Sequence, residues 1–157
     1  VNMNKHNILN EIYEPLHKKV KSIYKEVVDN GYKASIGWYN MHSVKYNDDF
    51  LTEFFPIPII TIESIGDIGL NIDSIFFETT ISREKALEVD YASLIEKYSI
   101  EVYGADDYLT DFYNKNMLLS DIKTRIQGSK ETQICIALYF DMNIETNILL
   151  EIISVFI

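Results

Sequence analysis

Apolar residues recur along the chain in two rhythms, and these place most of its elements. Ile8, Ile12, Leu16, Val20, Ile23 and Val27 follow spacings of four and three, which is one face of an α-helix. Pro15 interrupts the stripe. Proline lacks an N–H and collides with the preceding turn, so it either kinks this helix or opens its main part. Asn30-Gly31 ends it, because glycine takes the left-handed C-terminal conformation cheaply. The period is then lost. Ile36, Trp38, Tyr39, Met41, Val44, Tyr46 and Phe50 are large and apolar without a repeat, and strands are expected near residues 33–39 and 52–55.

From Pro56 and Pro58 the rhythm becomes alternation. Ile60 and Ile62 alternate with Thr61 and Glu63, and Leu70 and Ile72 with Asn71 and Asp73. Gly66 and Gly69 flank Asp67 and predict a turn over residues 65–69. Residues 75–81 are rich in β-branched and aromatic side chains. Two or three antiparallel strands follow from this, with a further bend at Asp73-Ser74. Ser82 suits an N-cap for a helix carrying Ala86, Leu87, Val89, Tyr91, Leu94, Ile95 and Tyr98. A short strand comes next, with Ile100 and Val102 on one face and Gly104 as its end. Asp106 or Asp107 can start a helix carrying Tyr108, Leu109, Phe112 and Tyr113, and another spans residues 119–126. Residues 133–140 form a continuous apolar run of the mid-sheet type. Asp141 or Asn143 then caps a last helix whose core face is Ile144, Ile148, Ile152 and Val155. The expected fold is α+β: a single domain with a mostly antiparallel sheet of about four to six strands and helices packed against it.

Composition agrees with one core. The chain has 157 residues, 47% of them hydrophobic, within the roughly 100–200 residues of a typical domain. That apolar content points to an ordered chain, since disordered ones lack the apolar surface to offset ordering entropy. The formal charge of −10, from 24 acidic and 14 basic residues, repels phosphate backbones, so nucleic acid is not an expected partner. The basic residues cluster at Lys18, Lys19, Lys21 and Lys25, but Glu14, Glu26 and Asp29 are interleaved, as on a solvated helix face. An acidic surface attracts a basic protein. No stretch reaches the ~20 apolar residues of a membrane span, and the polar start VNMNKHN is unlike a signal peptide. The single cysteine, Cys135, lies in an apolar run and reads as a small buried hydrophobe. The lack of a disulfide partner suits a reducing cytoplasm.

Candidate chemistry is sparse. Glu63, Asp67, Asn71 and Asp73 share one parity, so in extended chain they would lie on one side and three of them, Glu63, Asp67 and Asp73, could hold a divalent cation. The same alternation also describes the wet face of an amphipathic sheet. Asp106, Asp107 and Asp111 form a second carboxylate group, in which N-capping and the helix dipole also account for Asp106 and Asp107. His6, His17 and His42 make no zinc-type pairing, although His42 has Tyr39 and Ser43 near it in sequence. There is no Gly-x-Gly-x-x-Gly, P-loop, nucleophile elbow or kinase signature, and nothing implies a cofactor. Aromatic residues are plentiful, with 11 Tyr, 8 Phe and one Trp. Trp38, Tyr39, Met41 and Tyr46 are the densest group, suited to a protein contact or to filling the core. The leading expectation is a non-enzymatic module that binds a protein, such as an immunity- or inhibitor-like protein or an oligomer subunit. The alternative is a small-ligand or divalent-metal enzyme built on the carboxylates.

Overall fold

In the computed structural model, which describes residues 14–39, 57–71, 74–105 and 119–157, the first apolar stripe forms helix α1 (Glu14–Asp29). Pro15 is its second residue, where its missing N–H is no loss. Leu16, Val20, Ile23 and Val27 are its buried residues, as their spacing predicts. Gly31 takes φ +91°. The Tyr32 amide donates to the Val27 carbonyl and the Gly31 amide to that of Val28, closing the helix in a Schellman motif. Ile8, Ile12 and the strand expected over residues 52–55 lie outside the described residues.

The strands are β1 (Ala34–Tyr39), β2 (Ile57–Ile62), β3 (Gly66–Leu70), β4 (Ser74–Ser82), β5 (Glu101–Ala105) and β6 (Gln133–Asp141). They form one sheet in the order β1-β2-β3-β4-β6-β5, and every pair is antiparallel. The apolar run of β6 is central, as expected, and pairs with β4 from Ser74↔Asp141 to Ser82↔Gln133. One sheet face carries Ile60, Ile62, Ile68, Leu70, Ile75, Phe77, Ile81, Ile134, Ile136, Leu138 and Phe140, all in the main core. Helices α1, α2 (Arg83–Glu88), α3 (Tyr91–Tyr98), α4 (Leu119–Gly128) and α5 (Thr146–Ser154) bury side chains in that same core. The result is a single α+β domain.

The structure departs from the sequence reading in four places, of which the smallest is Gly104, which lies within β5 opposite Ile136 and does not end the strand. The turn predicted over residues 65–69 lies at Glu63, Ser64 and Ile65. Ser64 takes φ 64°, the Ile65 amide donates to the Ile62 carbonyl, and Thr79 Oγ1 donates to the Ile65 carbonyl at 2.6 Å. Gly66 and Gly69 are inside β3 because the space above them is taken, not because they turn the chain. A Cβ at Gly69 would stand 2.1 Å from Phe76 Cζ, and one at Gly66 would stand 2.2 Å from the Glu78 carbonyl oxygen.

The helix behind Ser82 is two helices. Ser82 Oγ caps α2 by accepting from the Lys85 amide at 3.1 Å. Val89 is extended at φ −68°, ψ 131°, and Asp90 Oδ1 then caps α3 through the Ser93 amide. A capping carboxylate next to a β-branched residue outweighs a continuous apolar stripe. Buried Tyr91 secures the break by donating its hydroxyl to the Ala86 carbonyl at 2.6 Å. Lys123 of α4 donates to the Leu87 carbonyl at 2.7 Å.

The last helix buries Leu149, Leu150, Ile152 and Ile153, of which Ile152 alone belongs to the predicted stripe. Ile144 and Ile148 are only partly buried, and Val155 is 38% exposed. The helix starts at Thr146 with no side-chain cap bond. The Asp141 carboxylate closes the preceding turn instead, accepting from the Asn143 amide at 2.8 Å.

Candidate functional site

Alternation along each strand sends every second residue to the sheet face opposite the main core. On β2 these residues are Ile57, Ile59 and Thr61; on β3, Asp67 and Gly69; on β4, Phe76, Glu78 and Thr80; on β6, Cys135, Ala137 and Tyr139. Ile57, Ile59, Phe76 and Tyr139 form one apolar cluster there, and Ala137, Cys135 and Tyr139 form another. Phe76 stands opposite both Gly69 and Tyr139 in the ladders. Its ring lies over the bare Gly69 backbone and tilts against Tyr139 at 6.2 Å between centroids.

Within this apolar surface two carboxylates face each other. Asp67 is the direct ladder partner of Glu78, and both are half-buried. Burial pushes the Glu78 carboxyl above the ordinary carboxylate range, and the like charge of Asp67 pushes it further. The described strands place no Lys, Arg or His on this face.

Cys135 stands opposite Thr80 and one diagonal from Glu78. Burial, and then the Glu78 charge, push its thiol up to about 11 against a smaller opposing effect of a Thr80 hydrogen bond. A thiol in that range is not a poised nucleophile. At mildly alkaline pH the thiolate fraction falls roughly 100-fold below that of an ordinary cysteine, and the greater nucleophilicity of a more basic thiolate recovers roughly tenfold. Iodoacetamide is therefore expected to modify Cys135 about tenfold more slowly in the native protein than in urea. Equal rates would show that neither burial nor the Glu78 charge acts on the thiol.

Only part of the expected carboxylate groups falls among the described residues. Glu63 is exposed in the β2–β3 turn, whereas Asp67 lies on the second face. Asn71 is buried at 4% exposure, its side-chain amide donating to Ser74 Oγ. Parity holds across the Ser64 turn, with Ile59 and Thr61 of β2 and Asp67 and Gly69 of β3 on the second face, and changes between β3 and β4, where the even-numbered Phe76 and Glu78 take that face. Asp73, Asp106, Asp107 and Asp111 lie outside the described residues. Among the described residues no group of three or more His, Cys, Asp and Glu side chains could hold a metal ion.

Trp38 and Tyr39 are in β1, opposite Pro58 and Ile57 in the ladder; Met41 and Tyr46, like His6 and His42, lie outside the described residues. His17 is half-buried on α1. The lysines of that helix are spread over different surroundings. Lys18, Lys21 and Lys25 are exposed, Lys25 pairs with Asp29 at 3.5 Å, and Lys19 donates to the Met142 carbonyl.

Strand β1 is one edge of the sheet formed by the described strands. Its sequence, ASIGWY, has no charge and no proline, and its six ladder pairs with β2 run without a bulge. Ile36 is 38% exposed.

Residues 7–152 match the family model described as "Protein of unknown function (DUF3201)". The chain belongs to this family. A search of solved structures finds similarity to a conserved hypothetical protein from Pyrococcus furiosus, at 19% sequence identity and a TM-score of 0.59 over 95% of this chain and 90% of that one. At that identity the likeness concerns the fold alone. No curated protein matches the chain. Membership of the family therefore assigns no activity, and the reading of the site rests on its own residues. Among the described residues no helix is long and apolar enough to cross a membrane.

The sequence reading missed Glu78 altogether. It lies in an apolar run, SIFFETTIS, and a charged residue between two core-facing positions was the available signal. Its pairing with Asp67 could be found only once the turn was fixed.

Proposed function

We propose that this chain works by binding another protein, and that edge strand β1 takes up an extended segment of a basic partner. The observation that carries the reading is the uncharged, proline-free, unbulged edge of residues Ala34–Tyr39. Natural sheets usually blunt their edges with lysine, proline or a bulge, because free N–H and C=O groups recruit further strands. An edge without these devices suits strand addition, in which main-chain hydrogen bonds supply affinity and alternate side chains supply specificity. Half-exposed Ile36 offers apolar contact area of the kind found at interfaces.

The formal charge of −10 favours a basic partner over a second copy, since two such copies repel. The chain in this reading resembles an immunity- or inhibitor-type protein in how it acts, by occupying a partner and not by chemistry.

The test is capture of partners by the tagged wild-type protein, compared with Ser35→Lys and Ile36→Lys. Both positions are exposed, so each change is expected to alter stability by only about 0.5 kcal/mol. A lysine on the edge blocks strand addition. The expected result is a basic protein retained at low salt, released at high salt, and lost from both variants while their melting curves stay close to wild type. Retention of the same partner by both variants, or self-association as the only interaction, would overturn the reading.

A further inference from the structure

Like charges directly opposite across two strands oppose the pairing of those strands, and the β3–β4 ladder contains such a pair at Asp67 and Glu78. We propose that these two facing carboxylates make the second sheet face responsive to pH, with Glu78 taking up a proton on acidification and so tightening β3 against β4.

The surroundings of Glu78 support this from every side that the described strands supply. Along β4 its same-face neighbours are Phe76 and Thr80. On β6 it stands opposite Ala137, with Cys135 and Tyr139 on the diagonals. On β5, Tyr103 is the ladder partner of Ala137 and Glu101 that of Tyr139. On β2, Thr61 is the partner of Asp67 and Ile59 that of Gly69. The titratable groups that the described side chains bring to this face are thus the carboxylates of Asp67 and Glu78, the Cys135 thiol and the Tyr139 phenol, and none of them brings a positive charge to Glu78. The described helices share the core on the opposite face.

The direction of the effect follows from linkage. Burial and then the Asp67 charge raise the Glu78 carboxyl above its ordinary value of 4.5, so the folded protein holds this proton more tightly than the unfolded chain. The stability gained is fully present below the unfolded value and is lost as pH rises through the folded one. The protonated carboxyl also changes role, from acceptor only to donor, and one of the two facing negative charges is removed.

The direct test is a carbon-detected NMR titration of the Glu78 carboxyl in the wild-type protein and in Asp67→Asn. The expected result is a midpoint above 4.5 in the wild type and a lower midpoint in Asp67→Asn. A parallel test is the urea midpoint followed from neutral pH downward in wild type, Glu78→Gln and Glu63→Gln. Glu63 is an exposed carboxylate in the adjoining turn, so Glu63→Gln reports the general relief of negative charge on acidification. The gain in urea midpoint should be smaller in Glu78→Gln than in Glu63→Gln. A wild-type Glu78 midpoint in the ordinary range overturns the proposal, as does a midpoint unmoved by Asp67→Asn or an equal gain in the two glutamine variants.

Discussion

Phe77→Ala is expected to destabilise the fold by about 3–5 kcal/mol, the range for removing a fully buried aromatic ring. Phe77 has no exposed surface. In the ladders it stands opposite Ile68 on β3 and Leu138 on β6, both in the main core. Its ring lies 6.4 Å from that of Phe156 beyond the end of α5. It therefore joins three strands to the C-terminal segment, and the vacated space is bounded by ladder hydrogen bonds that prevent easy collapse. Much of the cost is then a retained cavity added to lost apolar transfer. Urea unfolding should show a lower midpoint with an unchanged slope. The melting temperature should fall by roughly 6–20 °C. A loss under about 1 kcal/mol would mean that the three strands do not meet at this ring as described.

Gly66→Ala is the second large effect, and its cause is steric. The new Cβ would stand 2.2 Å from the Glu78 carbonyl oxygen, 3.0 Å from Phe77 Cε1 and 3.2 Å from the Glu78 carbonyl carbon. Two of these atoms are backbone, so rotamer adjustment cannot clear them; β3 must move away from β4. Forcing an extra carbon into a filled site costs about 1–3 kcal/mol. The shift would also disturb the Thr79 hydrogen bond to the Ile65 carbonyl that holds the β2–β3 turn. Gly37 is the control. A Cβ there meets nothing within 4 Å, and Gly37→Ala should be neutral or stabilising by up to about 1 kcal/mol, since alanine is less free in the unfolded chain. If both substitutions are neutral by urea unfolding, the close approach at Gly66 is not a constraint.

These two residues show how much of the fold the sequence makes legible. Helix α1 is readable because four apolar residues at spacings of four and three bury one face with no competing signal. Strand β6 is readable because its continuous apolar run marks a strand with neighbours on both edges, β4 and β5. The β2–β3 turn was displaced because glycine has two meanings in a strand: it marks a turn, or it marks a place where another group comes close. Gly66 and Gly69 have the second meaning, and the atoms that require them, the Glu78 carbonyl and the Phe76 ring, belong to a different strand. That displacement hid the site as well. A turn over residues 65–69 would hold Asp67 itself; with Ser64 turning the chain earlier, Asp67 lies within β3 and can stand opposite Glu78. The two-helix break at Val89 was obscured for a related reason. Val89 and Tyr91 continue the apolar stripe in number, while the Asp90 cap interrupts it in space.

The edge of β1 was half legible. A strand over residues 33–39 followed from composition, but its place at one side of the sheet depends on pairing between distant segments, which no local pattern records. The absence of charge in ASIGWY was visible from the outset and acquires meaning only at an edge.

Hydrogen–deuterium exchange, with and without the captured basic partner, tests the protein-binding account most directly. The account predicts that amides of Ala34–Tyr39 gain protection on binding, because outward N–H groups of the edge strand become hydrogen-bonded to the incoming segment. Protection confined to the lysine-bearing face of α1 or to the β4–β6 centre, with β1 exchanging as in the free protein, would contradict it.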